Sequence, residues 1–144
     1  MKYSQVKMLK SFCADLFSKP DYREVIAHAG EDDFEVNGVR FVRDDAIDQI
    51  QQDELASDEY ILGCFNADFL ADVLGIDQEV IEAMQKAEAF EAIGKLIISM
   101  GKLEALQQAY ASADGYGHHF NGYDFSEEEI SIDGVDYHVF DNRG

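Results

Sequence analysis

Two adjacent histidines, His118 and His119, stand in the run GYGHHFNGYD, with Asp114, Asp124 and His138 near enough in sequence to join them. Such a set holds the donor types for a metal ion or for a general base. Its spacing matches no known ligand pattern, and neighbouring side chains on a strand point to opposite sides. The chain also lacks G-x-S-x-G, a phosphate-cradling glycine loop and H-E-x-x-H. A non-enzymatic protein is therefore expected, with no catalytic residue, no metal and no cofactor. A small enzyme or metal-binding protein using His118 and His119 is an alternative.

Carboxylates are the abundant chemistry: 30 acidic against 11 basic side chains, a net −19. Residues 31–72 hold 13 acidic and 2 basic groups, a net −11, whereas residues 1–30 hold 5 basic and 3 acidic ones. The candidate partner-binding residues are Asp32, Asp33, Asp44, Asp45, Asp48, Asp53, Glu54, Asp58, Glu59, Asp68 and Asp72, with Glu127, Glu128 and Glu129 near the end. Helical positions four apart, such as Asp44 and Asp48 or Asp68 and Asp72, set carboxylates about 6 Å apart along a helix axis. One strand of duplex DNA carries a charge about every 3.4 Å, so its next-nearest phosphates are similarly spaced. Solubility accounts for a net charge of about 2–8 on a small domain, well short of −19. Self-repulsion on this scale destabilises the compact state unless a basic partner relieves it.

Direct DNA binding is disfavoured by the same charge. FLADVLGIDQEVIEAM, residues 69–84, resembles the helix-turn-helix of bacterial repressors, with Leu70, Ala71, Leu74, Gly75, Ile76, Val80 and Ile81 at its core positions. The second helix, however, opens with Asp77, Gln78, Glu79 and Glu82, which would repel phosphates. A packed helical hairpin is the expectation.

The tail ASADGYGHHFNGYDFSEEEISIDGVDYHVF resembles the ends of small acidic accessory proteins carried by phages and other mobile elements. That resemblance spans about the last thirty residues. It implies a DNA mimic that blocks restriction, CRISPR or other nucleic-acid-binding machinery of a host. The leading expectation is accordingly an acidic inhibitor of a basic nucleic-acid-binding or defence protein, steered electrostatically. An immunity protein neutralising a basic toxin is the first rival, with Tyr116, Phe120 and Tyr123 as aromatic anchors ringed by acids.

These residues need elements to hold them. At 144 residues and 47% apolar content, one domain of 1–144 with a real core is expected. Cys13 and Cys64 fall in apolar helical patterns without C-x-x-C spacing, and read as buried thiols of a reducing compartment. No apolar run has the length of a signal peptide or membrane span, so a cytoplasmic protein with no membrane contact is expected; a homodimer stays open.

Helical periodicity predicts helices over 3–18, ending near Pro20, and over 21–29, closed by Gly30. Further helices are expected from Asp44 to about Ala56, over 66–74, after an Asp77 cap with Val80 and Ile81 inward, and over 90–111. YILGCF reads equally as a buried strand or as helix. Gly94 and Gly101 lie within the last pattern, where they permit close packing. Period-two alternation around Asn37-Gly38 and Asp133-Gly134 predicts two β-hairpins, at about 33–43 and 128–140. A lone hairpin is marginal, so the two should pair into one small antiparallel sheet. Packed on one face by a layer of five or six helices, that sheet makes an α+β fold.

Overall fold

The computed structural model describes residues 19–143. The predicted helix over 3–18, with Cys13 in it, lies outside the described residues. The fold is α+β: eight helices and one four-stranded antiparallel sheet among the described residues. The chain forms two compact units, one from residues 19–47 with 116–143 and one from residues 48–115.

The first unit carries helix α1 (Lys19–His28), strands β1 (Asp33–Val36) and β2 (Val39–Arg43), the one-turn helix α8 (Gly117–Phe120), and strands β3 (Glu128–Ile132) and β4 (Val135–Asp141). Asn37 and Gly38 take φ of 50° and 79°, and Asp133 and Gly134 take 53° and 80°. Those paired positive angles are what a type I′ two-residue turn demands, and they close both predicted hairpins. The strand order is β1-β2-β4-β3. The two hairpins therefore join through β2 and β4, with Phe41 opposite Val139.

Alternation sends Phe34, Val36, Val39, Phe41, Ile130, Ile132, Tyr137 and Val139 to one buried face, covered by Val25 and Ile26 of α1 and by Ala29 just after it. Phe34 and Phe41 stack at 4.8 Å, and the Tyr137 ring meets Phe34 edge-on. The Tyr137 hydroxyl accepts from Gly30 N at 2.9 Å and donates to Glu31 O at 2.6 Å, tying the α1–β1 turn to β4. Burial, the main influence on this phenol, raises its pKa.

The opposite sheet face is covered too, by the tail segment. Phe120 stacks on Phe140 at 5.1 Å, the Arg40 guanidinium sits 4.9 Å from the Phe120 ring, and Tyr116 packs edge-on against His138. Residues 137–140 are consequently all buried, an uninterrupted run expected of a strand covered on both sides.

The second unit is helical: α2 (Ile47–Ala56, beginning one residue before the unit boundary), α3 (Glu59–Gly63), α4 (Ala67–Leu74), α5 (Gln78–Lys86), α6 (Phe90–Ser99) and α7 (Leu103–Asp114). Leu55, Leu62, Leu70, Leu74, Ile81, Ile93, Ile97, Leu106 and Tyr110 form its core. Burial lifts the Tyr110 phenol to about 12, with a smaller push from Asp114. YILG of YILGCF resolves as helix, capped by the Asp58 side chain, which accepts from Ile61 N, and Cys64 and Phe65 follow its end.

Two glycines bring α3 and α6 into backbone contact: a Cβ on Gly63 would lie 1.9 Å from Phe90 O, and one on Gly94 1.9 Å from Glu59 O. The predicted single helix over 90–111 is broken, since Gly101 takes φ +69° and ends α6 instead of packing. Three further expectations are corrected. Val80 is 50% exposed, because it lies about 100° around α5 from buried Ile81. Met100, part of the apolar periodicity read over 90–111, is exposed beyond the end of α6. Cys64 is exposed at the end of α3.

Candidate functional site

The acidic residues divide between the two units. In the first, β-strand ends and their flanks set Asp32, Asp33, Asp44, Asp45, Glu127, Glu128 and Glu129 at the surface, all exposed. Arg40, opposite Glu35 in the hairpin register, reaches Asp33 with two parallel bonds of 2.9 and 2.7 Å. Arg43 takes Asp45 at 2.8 Å. The two cations of the 31–72 stretch are thus spent on their own hairpin.

Asp44 behaves otherwise than predicted. It precedes α2 instead of lying on it, so it does not share a helix with Asp48. Its Oδ1 stands 2.7 Å from Nε2 of His138, whose Nδ1 faces Glu127 at 3.2 Å and Glu129 at 3.8 Å. The His138 side chain is 6% exposed. A neutral imidazole has one N–H, so it can donate to only one of these carboxylates; the imidazolium can donate on both sides. A cavity of about 280 Å³ opens beside this cluster, lined by Asp44, Glu129, Ser131, Asp136, Tyr137 and His138. A carboxylate-oriented histidine is one part of a general-base system, and the cavity beside it also holds the Ser131 side chain.

His118 and His119 sit on α8, not on a strand. His118 stacks on Phe125 at 4.8 Å, and His119 meets Phe120 edge-on. Asp124, expected as their partner, instead accepts from Ser126 N and Oγ and from Asn121 Nδ2. The Ser126 hydroxyl is the main reason its carboxyl is held below the usual range. Among the described residues, no group of three His, Cys, Asp or Glu side chains is arranged to hold a metal ion.

In the second unit, Asp68 and Asp72 share one face of α4 at the predicted one-turn spacing, beside a shallow open hollow that includes Gln78. Asp53 accepts from Gln49 one turn earlier. Asp48 accepts from Gln107 Nε2 at 2.9 Å, and the same amide bonds Gln51 inside the unit. Asp58 is occupied as the α3 cap. Glu54 and Glu59 are half-buried, and Glu59 Oε2 is enclosed without a hydrogen-bond partner, which removes Glu59 from the outward-facing set. The other twelve of the fourteen predicted carboxylate residues are exposed, all but Glu54 and Glu59. The helical hairpin of α4 and α5 exposes Asp77, Gln78, Glu79 and Glu82, so its outer face is acidic.

Of the three anchors expected for an immunity protein, Phe120 is buried and Tyr116 half-buried, leaving Tyr123 at 61% exposure. Phe125, which sequence reasoning passed over, is 58% exposed and takes φ +62°. Its place in FNGYDFSEEE offered only one signal, an aromatic amid turn formers and acids. No helix among the described residues is long and apolar enough to cross a membrane. Neither family models, curated proteins nor solved structures provide a match to the chain.

Proposed function

We propose that this is an acidic, non-enzymatic binding protein: a DNA mimic that inhibits a basic nucleic-acid-binding or defence protein in the cytoplasm of a phage's or mobile element's host. The supporting observation is a surface rich in exposed carboxylates within two long tracts that carry no lysine or arginine at all, residues 44–85 and 103–142. Backbone phosphates attract a nucleic-acid-binding groove through charge density, and fixed carboxylates at helical spacing offer the same attraction without bases. Its test is capture from nuclease-treated host lysate, with a salt-gradient elution and identification by mass spectrometry. The expected result is a basic DNA- or RNA-binding protein that elutes only as salt rises and whose duplex binding this chain displaces competitively. A captured partner that binds DNA and this chain at once, or retention indifferent to salt, refutes mimicry.

A further inference from the structure

Electrostatic attraction alone leaves unexplained two aromatic rings that are more than half exposed, Phe125 with His118 stacked on one side. Tyr123 and Phe125 are 61% and 58% exposed, in a loop that is far from slack. Asn121, itself fully buried, accepts from Tyr123 N and Asp124 N and donates to Asp124 Oδ1 and Ser126 O. Asn142 ties the loop to β4 through Gly122 N and Phe120 O. Gly117 lies so near the Phe125 carbonyl that a Cβ there would strike it. The network holds Phe125 at φ +62°, a conformation rare for a bulky side chain, and so presents the ring in one place. Glu127, Glu128 and Glu129 follow after Ser126, and residues 103–142 contain no lysine or arginine.

We infer that the loop of Tyr123 and Phe125 is a preformed anchor for arginine side chains of the basic partner, with guanidinium planes stacking on Tyr123 and on the face of Phe125 away from His118 while Glu127 to Glu129 accept their hydrogen bonds. The inference rests on the proposed acidic-inhibitor function and names its contact point. Arginine fits better than lysine: its planar, weakly hydrated guanidinium stacks on an aromatic face and pairs with carboxylate at once. Rigidity matters because an already ordered loop loses little freedom on binding.

The experiment uses the full chain with an oligo-arginine peptide and the lysine peptide of equal length as probes, titrated by calorimetry at low and at raised salt. The variant is Tyr123→Ala with Phe125→Gly; glycine suits φ +62°, so the loop keeps its shape, checked by circular dichroism. Two exposed cation–aromatic contacts correspond to about a tenfold loss of affinity for the arginine peptide. The lysine peptide should lose less than about threefold, since the ammonium stacks poorly and stays hydrated. Equal affinity of variant and wild type for oligo-arginine, with both abolished by salt, overturns the anchor and leaves the acidic-surface reading standing. Equal losses for both peptides overturn its preference for arginine. Wild-type affinity insensitive to salt brings down the proposed function, and the anchor with it.

Discussion

Gly94→Ala adds one methyl group at the point where α6 meets α3. The new Cβ would lie 1.9 Å from Glu59 O, with Glu59 C and Cα at 2.6 and 2.8 Å. All three atoms are main chain, so no rotamer change can make room. Reaching even a 3.0 Å separation requires the backbones to part by about 1.1 Å, and a gap of about 0.5–1 Å already forfeits a quarter to a half of each dispersion contact. The contacts at risk belong to buried Leu62, Ile93 and Ile97 and to the edge-on Tyr60–Phe90 pair. Overpacking into movable side chains costs about 1–3 kcal/mol, and a backbone clash belongs at or above the top of that range. Alanine returns about 1 kcal/mol through its better helix propensity. The net expectation is a loss of about 2 kcal/mol or more. With a urea m-value of about 2 kcal/mol/M, the midpoint falls by about 1 M at unchanged slope. Gly101→Ala is the comparison: it has open space around it but φ +69°, and costs about 1–2 kcal/mol from that angle alone. Urea titrations followed by circular dichroism decide the matter. A Gly94→Ala protein as stable as wild type would show that α3 and α6 do not pack backbone to backbone.

Other perturbations separate the remaining contacts. Tyr137→Phe strips the partner from Gly30 N and Glu31 O and should lower stability by about 1–3 kcal/mol in urea unfolding, with faster amide exchange at Gly30. Asn121→Ala removes the hub of the 121–126 loop and should cost about 2–4 kcal/mol and broaden the Tyr123 and Phe125 ring signals in NMR spectra. Asp141 is held below the usual carboxylate range chiefly by hydrogen bonding from Arg143. Its contribution is present above the unfolded-state value and is lost as pH falls through the lower folded value, so Asp141→Asn should flatten the acid limb of stability against pH. Asp68→Lys with Asp72→Lys should slow association with the proposed basic partner while leaving the urea midpoint nearly unchanged, since both side chains are exposed.

The sheet was legible because two signals coincide in it. Period-two alternation marked Phe34, Val36, Ile130 and Ile132, and Asn-Gly and Asp-Gly marked the turns, all short-range features. Pairing of β2 with β4 followed from the instability of separate hairpins. The two glycines at 94 and 101 show where such reading stops. Both interrupt the same apolar periodicity, yet one meets a carbonyl of another helix and the other turns the chain left-handed. Only the positions of α3 and α7 distinguish them. The covering of the second sheet face escaped for a related reason: Phe120 and Tyr116 lie among glycines that hide any period. The acidic surface was legible as charge, but Asp44 was misplaced. Its partner His138 lies 94 residues along the chain, brought near by the β2–β4 register of Val42 opposite His138.

Charge and anchor do different work in an association, which gives the proposed division of the surface a kinetic meaning. Under the proposed function the exposed acids of α2 and α4 would act at a distance and set how often a basic partner arrives, and salt screens them over about 8–10 Å. The rings of Tyr123 and Phe125, as the proposed anchor, would act only in contact, where water is excluded, and set how long the partner stays. Neutralising acids on α4 should therefore lower the association rate, whereas removing the rings should raise the dissociation rate at nearly constant arrival. The internal pairing of Arg40 and Arg43 sharpens this reasoning. Both cations nearest the first acidic stretch are already bonded to Asp33 and Asp45, so self-repulsion among the other carboxylates is left for salt or a partner to relieve. On the proposed function, attraction to a basic partner offsets that repulsion, and the held aromatic loop would be the place where attraction becomes contact.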